Sequence, residues 1–158
     1  NVLYYGDPGP MNFDCGINAG TATTEPVTLA PGVGYALKFS HYQDTEAGTT
    51  YDKLWVTVLV DNVETIVWTK ADMSTGAKGT WASYELDISG LAGKTFNLRW
   101  HFDSHDAVIN DTLGVMVDAV SITSTCAPVS CSGDVECSGD VDSISGSCQA
   151  GVCAYNGP

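Results

Sequence analysis

Apolar and polar residues alternate along several separate segments of this chain, and this alternation restricts the fold more than any other feature. Leu54, Val56, Val58 and Val60, for example, fall on every second position of KLWVTVLV. The same period of two recurs in residues 34–42, 80–89, 94–102 and 114–122. Successive side chains of a strand point to opposite faces, so each segment predicts a β-strand with one buried face. No segment shows the 3.6-residue period of an amphipathic helix, and the chain is predicted to be all-β.

Turn signals separate these predicted strands at short intervals. Asp61 and Asn62 stand between KLWVTVLV and VETIVWTK and predict a hairpin, and the Gly-rich segment SGLAGK separates two further strands. Short strands at regular spacing with Gly, Asp and Asn turns are typical of a two-sheet antiparallel sandwich or jelly roll.

Cysteines are concentrated at the end of the chain. The six cysteines are Cys15, Cys126, Cys131, Cys137, Cys148 and Cys153. Residues 127–158 hold no Lys or Arg and almost no large apolar side chain, so this segment cannot build a core of its own. An even cysteine count without paired C-x-x-C knuckles favours disulfides over metal thiolates, and predicts an oxidising, extracellular or cell-surface location. The pairing cannot be read from the spacing.

The predicted organisation is therefore a jelly-roll sandwich followed by a small disulfide-rich C-terminal appendage. The sandwich is expected over residues 1–126, with residues 1–26 as an atypical N-terminal arm, and the disulfide-stapled module over 127–158. The repeat CSGDVECSGDVD within this module resembles the short cysteine-rich repeats of secreted surface proteins. Its Ser-Gly-Asp triplets predict two similar turns.

Charge and hydropathy exclude two classes of partner. Lys and Arg total 6 against 19 Asp and Glu, which gives a formal net charge of −13. A phosphate backbone would be repelled by such a surface, so a nucleic-acid partner is not expected. No apolar run reaches the roughly 18–20 residues of a membrane helix, so membrane insertion is not expected either.

Two longer stretches carry a family resemblance: YALKFSHYQDTEAGTTYDKLWVTVLVDN and LDISGLAGKTFNLRWHFDSHDAVINDTLGVMVDAVSI. The first has the form L-x-F-x-x-Y, followed by Glu, Tyr-Asp and an apolar strand, and the second ends in G-V-x-V-D-x-V-x-I. Together they resemble the jelly-roll domains of the MAM and immune-inhibitor-A type, which are similar to many carbohydrate-binding modules. The resemblance covers roughly residues 27–126 and implies adhesion, glycan binding or structural spacing.

The same resemblance implies a structural calcium ion, because jelly rolls of this kind often hold one under the strand ends. Glu46 and Asp52 flank the loop before LWVTVLV, and Asp118 interrupts the apolar run VMVDAVSI. Calcium takes carboxylate and carbonyl oxygens, so these three residues are its candidate ligands. Asp118 could instead bind backbone N–H groups. A rarer alternative is a transition-metal site at His101, Asp103 and His105.

Trp55 is the candidate ligand-binding residue. It lies out of phase with Leu54, Val56 and Val58, so it is expected on the outer face of its sheet, where an aromatic ring could stack on a sugar. The alternative is that it covers a hydrophobic edge. No G-x-S-x-G, H-E-x-x-H or phosphate-binding glycine loop is present, and an enzyme is not expected.

Three functions fit these observations. The first is an extracellular or cell-surface non-catalytic module that binds a glycan or a protein. The second is a self-assembling subunit of an extracellular filament or surface layer, in which Val2, Leu3, Tyr4 and Tyr5 add a strand to an identical subunit. These four residues could instead pair within their own sandwich. The third is an accessory domain of a secreted hydrolase.

Overall fold

Antiparallel strands make up most of the computed structural model, which describes residues 2–73, 78–125, 146–149 and 152–155, the last two ranges by their backbone alone. The strands are β1 (Leu3–Tyr5), β2 (Ala19–Thr23), β3 (Val27–Thr28), β4 (Gly34–Asp44), β5 (Lys53–Val60), β6 (Val63–Thr69), β7 (Trp81–Asp87), β8 (Thr95–Asp103), β9 (Gly114–Thr125), β10 (Gly146–Gln149) and β11 (Val152–Tyr155). Two single 3₁₀ turns occur at Lys70–Asp72 and Ser89–Leu91. Among the described residues no helix is long and apolar enough to cross a membrane.

Two sheets form the sandwich. One has the order β1-β9-β4-β7; in the other, β2, β8, β5 and β6 are neighbours in that order and β3 also pairs with β8. The pairings are nested, with the β5–β6 hairpin innermost, then β4 with β7, β2 with β8, and β1 with β9. This nesting across two sheets is the topology of a jelly roll. The predicted two-sheet antiparallel sandwich is confirmed.

The core lies between the two sheets and is built from the alternating apolar positions. Leu37 and Phe39 of β4 face Val56 of β5 and Trp100 of β8, and all four side chains are buried. The Phe39 ring meets the Trp68 ring edge-on, with centroids 5.6 Å apart. Because Phe39 and Trp68 belong to different sheets, this contact joins the layers, and removing either ring is expected to cost about 3–5 kcal/mol.

The hairpin predicted at Asp61 and Asn62 is confirmed. Both residues have positive φ, 48° and 64°, and they join β5 to β6. Two consecutive left-handed residues make a type I′ turn, whose twist matches that of the flanking strands.

The N-terminal arm is part of the sandwich. β1 pairs with β9 through Leu3 and Val117, β2 pairs with β8, and Phe13 is buried in the core. Intramolecular pairing, the alternative for residues 2–5, is therefore what the structure has. β1 remains an edge strand, since no described strand lies on its other side.

The chain divides into two compact units, Asn1–Ser124 and Thr125–Pro158. In the second unit β10 and β11 pair with Cys148 opposite Cys153. Cys126, Cys131, Cys137 and the CSGDV repeat lie outside the described residues, so the disulfides of this unit stay a prediction. Among the described side chains Cys15 is an exposed free thiol. The side chains of the other five cysteines lie outside the described part of the chain, so the disulfide predicted for Cys15 also stays a prediction.

Candidate functional site

Trp55 lies on the outer face of the five-stranded sheet, as its phase predicted. Its neighbours Leu54 and Val56 point into the core and are buried, whereas Trp55 is half-buried. In the register of β5 with β8, Trp55 lies directly opposite His101. The two rings stack in parallel, with centroids 4.9 Å apart and an interplanar angle of 4°.

Hydrogen bonds on both sides fix the orientation of His101. Its Nδ1 lies 3.0 Å from the Thr21 hydroxyl on β2, and its Nε2 lies 3.0 Å from the Thr57 hydroxyl on β5. Nε2 also lies 2.8 Å from Glu64 Oε1 on β6. Side chains of three other strands, β2, β5 and β6, thus hold the imidazole of His101 on β8, and the imidazole in turn holds the indole of Trp55 in place.

Glu64 anchors this network. Its Oε1 accepts the Thr57 hydroxyl at 2.6 Å, and its Oε2 lies 3.6 Å from Arg99 Nη1. The pKa of Glu64 is lowered, chiefly by the hydrogen bond from Thr57 and further by His101 and Arg99. The group is therefore a carboxylate at neutral pH, acting as acceptor.

A cleft of about 260 Å³ lies beside Trp55. Residues from the β4–β5 loop, β5, β6 and the following 3₁₀ turn form its walls: Thr49, Lys53, Leu54, Trp55, Ile66, Thr69, Lys70 and Ala71. His101 lies on β8, on one side of β5, and β6 lies on the other side. The indole face that His101 leaves uncovered is therefore directed toward β6 and the cleft. Apolar walls with a few polar groups are the usual composition of a small-ligand site.

A second aromatic surface lies on the outer face of the other sheet. Trp81 of β7 is 50% exposed and lies opposite Tyr42 of β4, with ring centroids 5.9 Å apart. Sequence reasoning favoured Trp55 alone, although Trp81 is out of phase with Ala82 and Tyr84 in the same way. The alternation of residues along β7 could therefore have predicted this second surface.

The other two tryptophans belong to the core. Trp68 and Trp100 are 2% and 6% exposed. Neither is available to a ligand at the outer surface. Trp55 and Trp81 are therefore the tryptophans of the described chain that face outward.

The three candidate calcium ligands are not assembled as a set. Glu46 and Asp52 meet, since the Glu46 N–H donates to Asp52 Oδ2 at 2.7 Å. Asp118 is exposed and accepts the N–H of Ala119, a local bond that fits the alternative of backbone binding. Among the described residues no cluster of three or more His, Cys, Asp or Glu side chains could hold a metal ion. Calcium stays a prediction.

The alternative metal set at His101, Asp103 and His105 is also separated. His101 is bound to Thr21, Thr57 and Glu64, as above, while Asp103 Oδ1 accepts the N–H of His105 at 2.8 Å. His105 has a φ of 67°, beyond the end of β8 at Asp103. The strand therefore ends before it could place both imidazoles on one face.

Comparison with known proteins gives no family. No family model matches the chain, and no curated protein matches it. The similar crystal structures include a cyclase from Fischerella sp. TAU, with 15% identity and a TM-score of 0.44, and the apo form of a cyclase from Fischerella sp., with 16% identity and a TM-score of 0.45. They cover 71% and 80% of this chain, which spans 58% and 62% of theirs. The chain thus spans about three fifths of each cyclase. Similarity at this level does not assign an activity.

Proposed function

We propose that this chain is an extracellular, non-catalytic module that binds a carbohydrate beside Trp55, on the outer face of the five-stranded sheet. The observation that carries the proposal is the parallel stack of Trp55 on His101 next to an open cleft. The apolar C–H face of a pyranose ring packs on an aromatic face, and an outward tryptophan with one free face provides such a platform. The extracellular location rests on the cysteine content of the sequence.

The free face of the indole decides where the sugar lies. Because His101 covers the side toward β8, the sugar stacks on the side toward β6, within the cleft. Hydroxyls of the sugar then meet Lys53 and the hydroxyls of Thr49 and Thr69, which line the same space. A cleft of about 260 Å³ fits one ring of a longer glycan.

The network behind the platform supports binding by fixing the site in advance. Thr21, Thr57 and Glu64 hold His101, so the stacked pair loses little conformational freedom when a ligand arrives. Preorganisation of this kind raises affinity by reducing the entropy lost on binding. A binding role therefore fits the network without any reaction.

The carboxylates near the platform also favour binding over hydrolysis. Glycoside hydrolysis needs one carboxylic acid with a raised pKa beside a second carboxylate. Glu64, the carboxylate of the network, has a lowered pKa. Asp52 has a pKa raised by burial, but its side chain is fully buried and accepts the Glu46 N–H.

A glycan screen with matched tryptophan variants tests the proposal. The wild type, Trp55→Ala and Trp81→Ala are applied to a broad polysaccharide and glycan array, and each glycan retained is titrated by calorimetry. We expect the wild type and Trp81→Ala to bind the same glycan equally. Loss of the stacking face in Trp55→Ala should weaken binding at least about tenfold.

Two outcomes would reject this function. In one, the wild type retains no glycan; in the other, Trp81→Ala loses binding while Trp55→Ala keeps it. The second outcome would assign the ligand to the surface of Trp81 and Tyr42. Trp55 and Trp81 both lie on the outside of the sandwich, so neither substitution should prevent folding.

Self-assembly is the second candidate, favoured by the edges of the four-stranded sheet. Among the described strands, β1 and β7 are its outer members, and Leu3 is 45% exposed. Addition of β1 to the β7 edge of an identical subunit would continue one sheet from molecule to molecule. Electron microscopy of purified protein distinguishes the candidates: ordered fibres support assembly, and monodisperse particles contradict it.

A further inference from the structure

Lys70 places its ammonium group inside a shell of oxygen atoms. Its Nζ donates to the carbonyl oxygen of Glu46 at 2.8 Å, of Asp52 at 3.1 Å and of Tyr51 at 3.2 Å. The hydroxyl of Thr45 lies at 3.3 Å. All four acceptors belong to the loop between β4 and β5. A lysine side chain usually extends into water, whereas this one is half-buried and directed at backbone carbonyls.

The local backbone fixes the position from which Lys70 reaches this loop. Lys70 opens the 3₁₀ turn Lys70–Asp72, directly after β6. A capping box closes the turn, in which the Thr69 N–H donates to Asp72 Oδ2 at 2.7 Å and the Thr69 hydroxyl accepts the Ala71 N–H. The stem of the lysine is thus anchored outside the loop whose oxygens it binds.

The loop needs a positive charge at this point. Asp52 is 0% exposed and has a φ of 47°, and one of its carboxylate oxygens, Oδ1, has no hydrogen-bond partner among the described residues. The Oε2 atom of Glu46 is also buried, and no described group forms a hydrogen bond with it. Burial raises the pKa of Asp52, and the positive charge of Lys70 acts against that rise. A buried carboxylate requires such a partner, since an unpaired one is strongly destabilising.

Carbonyl, hydroxyl and carboxylate oxygens from one loop are the ligands that hard cations take in proteins. We infer that the loop of residues 45–52 forms a cation site and that the ammonium group of Lys70 is its resident cation. Lys70 therefore supplies the positive charge that calcium was predicted to supply to Glu46 and Asp52. Removing the ammonium group leaves a site for a metal cation, of which calcium is the one matched to these oxygens. The inference does not depend on carbohydrate binding.

Two substitutions of Lys70 separate the charge from the space it fills. Lys70→Ala removes the ammonium and the stem, which leaves room for an ion, whereas Lys70→Met removes the charge but fills the space with an apolar chain. We expect both full-length variants to melt roughly 5–15 °C below the wild type in chelator-treated buffer, because several buried acceptors lose their donor. Calcium chloride should then raise the melting temperature of Lys70→Ala by several degrees more than that of Lys70→Met or the wild type.

The calcium-induced shifts in melting temperature of the wild type, Lys70→Ala and Lys70→Met can reject the inferred cation site. Equal calcium-induced shifts in all three would show that no cation site exists at Lys70. A wild-type shift as large as that of Lys70→Ala, together with a smaller shift in Lys70→Met, would show that calcium, and not the lysine, serves this loop. Calcium binding elsewhere in the chain would move all three proteins equally and does not affect the difference.

A measurement on the wild type covers the case in which neither variant folds. Lysine ammonium protons exchange with water too fast to observe unless they are protected by hydrogen bonds. In protein labelled with ¹³C and ¹⁵N, we expect the Lys70 ammonium group to be observable and scalar-coupled across hydrogen bonds to the carbonyl carbons of Glu46 and Asp52. The exposed Lys94 provides the control. Exchange of Lys70 as fast as that of Lys94 would overturn the inference.

Discussion

The imidazole of His41 is buried within the aromatic part of the core. The residue is 1% exposed, and its ring lies 5.1 Å from that of Trp68 and 5.2 Å from that of Tyr84. Burial lowers its pKa from 6.5 to about 4. Gln43 acts in the opposite direction, but within the described part of the chain neither ring nitrogen of His41 has a hydrogen-bond partner, and burial dominates the pKa shift.

This histidine predicts a loss of stability in mild acid. Between pH 6.5 and about 4 the unfolded chain binds a proton at His41 that the folded chain does not, so the free energy of unfolding falls as the pH falls. The decrease approaches about 1.4 kcal/mol per pH unit within this window and ends below it. Urea unfolding at pH 7.5, 6.0 and 5.0 measures the slope.

Matched histidine variants test whether His41 causes this pH dependence of the free energy of unfolding. His41→Leu should flatten the dependence between pH 7.5 and 5.0, whatever its effect on stability at neutral pH. His105→Asn serves as control, because His105 is exposed and asparagine tolerates its φ of 67°. An undiminished slope in His41→Leu would refute the assignment.

At the scale of elements, the attachment of β1 depends on a close approach at the start of β9. Gly114 has a φ of 81°, and a Cβ atom there would lie 2.9 Å from the carbonyl oxygen of Tyr5 and 3.0 Å from the ring of Phe13. Only glycine combines this backbone conformation with this contact. The edge strand β1 can therefore pack on β9 because residue 114 is a glycine, which has no side chain.

Replacing this glycine should destabilise the sandwich beyond the effect of φ alone. Gly114→Ala is expected to cost about 2–4 kcal/mol, because either β1 or Phe13 must move. Gly32→Ala is the control: its φ of 74° is similar, but beyond its two chain neighbours no atom of the described residues lies within 4 Å of the added Cβ. It should cost only about 1–2 kcal/mol. Equal losses in urea unfolding would contradict the packing of β1 described above.

The alternation of residues was sufficient to predict the strands and the face on which each side chain lies. Leu54 and Val56 are inward and Trp55 is outward, because the period of a strand is fixed by its backbone. The partner of Trp55 could not be predicted in this way. His101 reaches it only because β8 lies beside β5 in the sheet, and strand order depends on tertiary packing.

The candidate calcium ligands also show which contacts can and cannot be predicted from sequence. Glu46 and Asp52 come together because one short loop joins them. The resemblance made Asp118 a calcium candidate, with backbone N–H binding as the alternative, and the local bond in the structure fits that alternative: its carboxylate accepts the N–H of Ala119, which has a φ of 52°. Lys70 was not considered at all, since no sequence pattern connects a turn after β6 with the loop before β5.

At the scale of the whole molecule, the two outer faces of the sandwich differ in what they offer a ligand. The face of the five-stranded sheet holds Trp55, the hydrogen-bonded His101 and a cleft. The face of the four-stranded sheet holds Trp81 and Tyr42 and, further along the same two strands, the ion pair of Lys38 with Glu85. The formal net charge of −13 lets either face bind a neutral glycan but disfavours an anionic one.

The most direct measurement follows the tryptophan side chains during binding. Each of the four tryptophans gives a separate indole ¹H–¹⁵N signal, and the protein is titrated with the glycan that the screen retains. We predict a saturable shift of the Trp55 signal, with the buried Trp68 and Trp100 and the distant Trp81 nearly unchanged. A shift confined to Trp81, or no shift at any tryptophan while the glycan is bound, would contradict the assignment of the site to Trp55.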